Sequence, residues 1–108
     1  MTESEIQAAV MRKLGSRPDT RVFRNHCGSV QDQAGRWHTF GLAKGSADLI
    51  GWQSITITPE MVGTKVAQFL SVEVKTPTGR VRPEQDAWAR TVNAHGGRAI
   101  IVRSTNDL

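Results

Sequence analysis

Apolar residues recur at Ile6, Val10 and Leu14, with Ala9 and Met11 nearby, and this spacing predicts an amphipathic helix over residues 3–14. Thr2 is placed to cap its start, Glu5 completes a capping box three residues later, and Gly15 ends it. Residues 21–24 read as a short strand. Residues 25–46 carry no clear period; they are basic and rich in glycine (Gly28, Gly35, Gly41, Gly45) and read as a long loop of the kind that often carries function. Residues 47–58 alternate weakly through Ile50, Trp52, Ile55 and Ile57, giving a strand that Pro59 stops. After a turn at 60–64, a β-branched run over 65–75 predicts a second long strand, expected to pair with 47–58 as a hairpin. Pro83 suits the first turn of a helix over 83–95, whose buried stripe is Ala87, Trp88 and Val92. Gly96 and Gly97 close that helix, and residues 98–102 form a last strand. The expected order is α-β-β-β-α-β, an α/β chain forming one domain over residues 1–108.

Composition narrows the partners more than the fold. The 108 residues are 38% hydrophobic and 22% charged, ordinary values for a folded domain. The formal net charge is +4, with a pI near 10.0. Residues 12–44 carry seven Lys/Arg against Asp19 and Asp32, and residues 75–103 carry six against Glu84 and Asp86. Such regions favour a polyanion. The single cysteine, Cys27, excludes an internal disulfide framework and fits a reducing cytoplasm. No apolar run is long enough for a membrane span, so no membrane partner is expected, and the polar start does not resemble a signal peptide.

The candidate chemistry lies in the 65–75 strand and just upstream of it. Side chains alternate along a strand, so Glu73 and Lys75 share a face while Val72 and Val74 point to the other. In the expected hairpin Asp48 falls approximately opposite Lys75 and diagonal to Glu73. Two carboxylates and an ammonium can hold a divalent cation and organise a water for phosphodiester hydrolysis. Hard oxygen ligands suit Mg2+ or Mn2+, with Asp48 and Glu73 as carboxylates, the Val74 carbonyl as a third ligand and Lys75 neutralising developing charge. Taken singly, Glu73 and Lys75 read as a solvated strand face and Asp48 as a turn residue; it is their joint arrangement that points to chemistry. His26, Cys27, His38 and His95 lack the spacing of a zinc site. Arg24, Arg36, Lys44, Arg80 and Arg82 are candidate phosphate contacts, Trp37 a candidate base-stacking residue, and Trp52 and Trp88 read as core.

The ordered set of motifs resembles the stand-alone VRR-NUC (virus-type replication-repair nuclease) branch of the PD-(D/E)XK nuclease superfamily. It runs over nearly the whole chain: Glu3-x-x-Ile6-Gln7, the stretch from Phe40 through Asp48 to Gly51, and Ile57 to Gly63. Val72-Glu-Val-Lys75, Gly79-Arg-Val-Arg-Pro-Glu-Gln85 and Gly96-Gly-Arg-Ala99 complete it. One departure is Ala47, where the family pattern usually has proline before the aspartate. The resemblance implies a central mixed sheet flanked by helices. It makes Asp48 and Glu73 metal ligands, Lys75 the catalytic lysine, Gln85 an active-site residue and Glu3 the N-terminal acid. It also implies a homodimer acting on branched DNA, four-way (Holliday) junctions among it. The dimer surfaces expected are the exposed side of helix 83–95 and the residues around Met61 and Val62. The chain's brevity points to a phage or bacterial origin. Two other readings stand beside this one: a sequence-specific or restriction-type nuclease of the same fold, and a non-catalytic DNA-binding module.

Overall fold

The computed structural model describes residues 2–108. The chain divides into two compact units, Met1–Gln53 and Ser54–Leu108.

In the first unit, α1 (Glu3–Gly15) begins as its sequence requires. The Thr2 hydroxyl oxygen accepts from the Glu5 backbone N–H at 3.2 Å and donates to the Glu5 carboxylate. The helix packs on β1 (Thr20–Arg24). In the full chain order the next strands are β2 (Gly28–Gln31), β3 (Trp37–Phe40) and β4 (Leu49–Gln53). β1 pairs antiparallel with β4, from Thr20 opposite Gln53 to Arg24 opposite Leu49. Gly51 is obligatory in this ladder, because a Cβ there would collide with the Arg21 carbonyl oxygen.

β2 and β3 form an antiparallel hairpin inside the stretch expected to be a loop. The turn explains it. Asp32 N–H donates to the Arg36 carbonyl at 2.8 Å, Gly35 N–H donates to the Asp32 carbonyl at 3.0 Å, and Gly35 sits at φ +83°. This is a three-residue hairpin connection with glycine in the left-handed position. The Asp32 carboxylate then ties the turn together, accepting from the backbone N–H groups of Ala34 and Arg36, from Arg36 Nε at 3.1 Å, and meeting His38 Nε2 at 2.8 Å. The apolar alternation is too sparse to announce the strands, since only Val30, Trp37 and Phe40 punctuate it.

The second unit is a β-α-β crossover preceded by a 3-10 turn at Pro59–Met61. β5 (Leu70–Val74) and β6 (Arg98–Val102) run parallel, with α2 (Pro83–Ala94) between them in sequence and packed against both. Lys75 N–H extends the ladder to the Val102 carbonyl at 3.0 Å. Val92 on α2 is 1% exposed and Val102 is buried at the end of β6.

The strands expected to pair with each other take different partners: β4 pairs with β1, and β5 pairs with β6. Both are also shorter than the 47–58 and 65–75 runs. β4 stops at Gln53 because β1 begins at Thr20, and β5 starts at Leu70 because its partner begins at Arg98. The order is therefore α-β-β-β-β-β-α-β, and the ladders are three pairs of strands.

Val92 is the one large side chain among the described residues that is essentially sealed from solvent, so Val92→Ala should lower stability by about 2 kcal/mol in urea unfolding. The hairpin gives a second expectation. Hydrogen bonding to His38 first, and to the Arg36 backbone next, holds the Asp32 carboxyl below the ordinary value of 3.8. A depressed acid stabilises fully above its ordinary value and loses that contribution as pH falls through the lowered one. Carboxyl-carbon NMR should give an Asp32 midpoint below 3.8 that moves upward in His38→Ala; a wild-type midpoint at or above 3.8 would remove the cross-link.

Candidate active site

β5 divides its side chains as the alternation requires. Leu70, Val72 and Val74 take one face, with Val74 73% exposed, and Ser71, Glu73 and Lys75 take the face that α2 covers. Trp88 Nε1 on α2 donates to Ser71 Oγ at 2.8 Å, and Gln85 Nε2 donates to Glu73 Oε1 at 2.7 Å. Lys75 Nζ lies 3.7 Å from the same Glu73 oxygen. The lysine side chain is 16% exposed and the glutamate 40%, so the ammonium is sheltered while the carboxylate reaches solvent. Among the described residues Glu73 Oε2 accepts no hydrogen bond, which leaves one hard oxygen available.

Gln85 is locked by its second role. Its Oε1 accepts from the Arg82 backbone N–H at 3.0 Å, capping α2, so its amide NH2 must face Glu73. The turn after Lys75 is held just as firmly. Arg103 Nη1 donates to the carbonyls of Thr76 at 2.6 Å, Gly79 at 2.9 Å and Pro77 at 3.3 Å. Thr76–Gly79 is thereby pinned to the residue that follows β6.

In the first unit Asp48 stands immediately before β4. Asn25 fixes its approach: its backbone N–H donates to the Asp48 carbonyl at 2.9 Å, and its Nδ2 donates to Ser46 Oγ at 2.7 Å and the Ala47 carbonyl at 2.8 Å. Its Oδ1 accepts from Leu42 N–H at 3.0 Å. These bonds supply restraint at the position where Ala47 replaces the expected proline. Asp48 lines a cavity of about 200 Å³ with Glu3, Ile6 and Gln7. Among the described residues neither the Glu3 nor the Asp48 carboxylate accepts a hydrogen bond, so both acids are open to a cation. Gln7, in that cavity's wall, accepts at its Oε1 from Arg24 Nη1 at 2.7 Å.

The remaining basic candidates are dispersed. Arg36 is engaged by Asp32, Arg82 Nε lies 3.5 Å from Glu84, Lys44 lines a separate cleft, and Arg80 is exposed. Asn25, Gln7 and Arg103 went unread as site residues. Asparagine directly after a strand is a turn signal that flags Asn25, but nothing local marks the Arg103 guanidinium, whose partners lie 24 to 27 positions away. Among the described residues, no three His, Cys, Asp or Glu side chains stand together as a metal cluster, and no helix is long and apolar enough to cross a membrane.

The sequence profile of the VRR-NUC domain matches residues 2–106. The chain belongs to the VRR-NUC family. VRR-NUC domains are nuclease domains, so DNA is the implied partner, and nucleases of this family generally use divalent metals. No curated protein and no solved structure matches the chain. Within this VRR-NUC domain Gln85 both caps α2 and orients Glu73. Gln85→Ala should therefore cost about 1 kcal/mol in urea unfolding through the lost cap. DNA cutting should fall about 10- to 100-fold at unchanged protein concentration. Loss of stability with undiminished cutting would confine Gln85 to the cap.

Proposed function

We propose that the chain is a Mg2+- or Mn2+-dependent endodeoxyribonuclease acting on branched DNA, four-way junctions included, in which residues 1–108 work as one nuclease domain. The observation that carries the reading is the shared Glu73 oxygen, with the Lys75 ammonium and the Gln85 amide on Oε1 and the second oxygen open. A carboxylate arranged in this way keeps its direction and one free ligand position. That suits cation binding better than a structural ion pair, in which both oxygens would be satisfied.

Asp48 and Glu73 are the carboxylate ligands in this reading and the Val74 carbonyl is a third, with Glu3 an additional acid beside Asp48 in the 200 Å³ cavity. When bound, the divalent ion polarises the phosphoryl oxygen and makes water a stronger nucleophile. Lys75 places positive charge where the phosphorane-like transition state gathers negative charge. Water adds its oxygen to phosphorus, one ester P–O bond breaks, and the proton released from water is balanced by the one the departing alkoxide takes up. Arg24, Arg36, Lys44, Arg80 and Arg82 supply phosphate affinity. A homodimer gives two such sites, matching the paired nicks that resolving a four-way junction requires. A cytoplasmic setting, in a phage or bacterial host, is in keeping with the lone exposed cysteine.

The test is incubation with Mg2+ and labelled linear, flap, fork and four-way DNA, with cut positions mapped. Branched substrates should be cut preferentially. Lys75→Ala and Glu73→Gln should each reduce cutting by at least about 100-fold while DNA binding in Ca2+ persists. Near-normal cutting by Glu73→Gln would take that residue out of the chemistry, and a particle that sediments as a monomer with and without DNA would remove the paired mechanism.

A further inference from the structure

The β2–β3 hairpin is exposed on both faces, a condition in which a two-stranded ribbon is marginal unless something else holds it. Its base is braced by the stacked rings of His26 and Phe40 and by the Asn25–Leu42 bond, and its far end is held by its own turn. Asp32 gathers two backbone N–H groups, the Arg36 guanidinium and the His38 ring, and Gln31 Nε2 donates to the Gly35 carbonyl at 2.9 Å. Asp32, Arg36, His38 and Gln31 are thus engaged within the hairpin itself. Trp37 is not. Its register partner is Gln31, it is 68% exposed, and among the described residues its indole makes no hydrogen bond or ring contact.

The ribbon's surroundings suit a polyanion. From residue 24 to residue 44 the fixed charges are Arg24, Arg36 and Lys44 against Asp32 alone, and Asp32 is already engaged by Arg36 and His38. Ser29 and Thr39 are paired across the ribbon on the face that carries Trp37. Both also line a cleft of about 560 Å³ at the ribbon's base, with Lys44 in its wall. One exposed face of the ribbon therefore carries an aromatic ring and two hydroxyls, and the hydroxyls lead into a cleft that Lys44 also lines.

We propose that the β2–β3 hairpin is a base-probing arm, in which Trp37 stacks on an unpaired nucleobase where duplex DNA is interrupted, while Ser29, Thr39 and Lys44 follow the adjoining backbone. A paired base hides its π-face in the stack; an unpaired one exposes it, and stacking tolerates any base identity. The arm rests on the nuclease reading only in taking DNA as the partner. It makes the hairpin a sensor of DNA structure, separate from the acids that would do the cutting.

The experiment measures binding by fluorescence anisotropy in Ca2+, using a gapped duplex and a fully paired duplex of equal length, with 2-aminopurine at the unpaired position of the first. Wild type, Trp37→Ala and Trp37→Phe are compared, with sedimentation of each free protein. The gapped-over-paired affinity ratio should fall about 5- to 150-fold in Trp37→Ala, together with loss of the 2-aminopurine quenching, and Trp37→Phe should restore most of both. An unchanged ratio overturns the proposal, whether overall affinity is intact or equally reduced on both DNAs. So does a change in sedimentation with no change in the ratio, which would make the ribbon a protein contact. A wild type that shows the ratio but cuts nothing in Mg2+ leaves the arm standing and removes the nuclease reading. One that cuts branched DNA with a ratio insensitive to Trp37 does the reverse.

Discussion

One carboxylate oxygen, Glu73 Oε1, receives both the Lys75 ammonium and the Gln85 amide, and most of the second unit is arranged around that meeting. The two-residue period of β5 puts glutamate and lysine on one face. The parallel ladder to β6 keeps that strand straight through Lys75. The start of α2 must then fall where its third residue reaches the glutamate, and Pro83 with the Arg82–Gln85 cap fixes that start. If the helix began a residue earlier or later, Gln85 would rotate by about 100° and the contact would be lost.

Neutral amides do much of the positioning in both units. Gln85 aims Glu73, Asn25 anchors the approach to Asp48, and Gln7 holds the Arg24 guanidinium. An amide adds direction to a charged group without adding a charge of its own, so at Glu73 the Gln85 amide aims the carboxylate beside the Lys75 ammonium. That distinction matters for side chains whose charge is itself the useful property. The engaged Arg36 and Arg82 show the alternative, with guanidiniums shared with acids of the same chain.

The helices and the outer strands were legible because their signals are local. Thr2 and Glu5 cap α1, Pro83 opens α2, and the 98–102 run is continuous and apolar. Strand pairing was not legible, since a run such as 65–75 says nothing of whether it will meet 47–58 or 98–102. The β2–β3 hairpin escaped notice because it is stabilised by a side-chain network at Asp32 rather than by an apolar stripe. For the same reason the candidate acids and lysine could be named from residue type and spacing, whereas the partners that Asn25 and Arg103 find could not. Their roles consist wholly of bonds to main-chain and side-chain atoms that only the fold brings near.

The parallel pairing of β5 with β6 sets the order in which the second unit can come into being. A growing polypeptide carries Glu73 and Lys75 well before it carries residues 98–102, yet β5 has its ladder only with β6. Arg103, which pins the turn after Lys75, is translated later still. Until residues 98–103 have been made, β5 lacks the one ladder partner it has among the described residues and the turn after Lys75 lacks its Arg103 bonds. Chain order thus places the support of the cluster after the cluster itself, and the last groups to be made are the ones that brace β5 and its following turn.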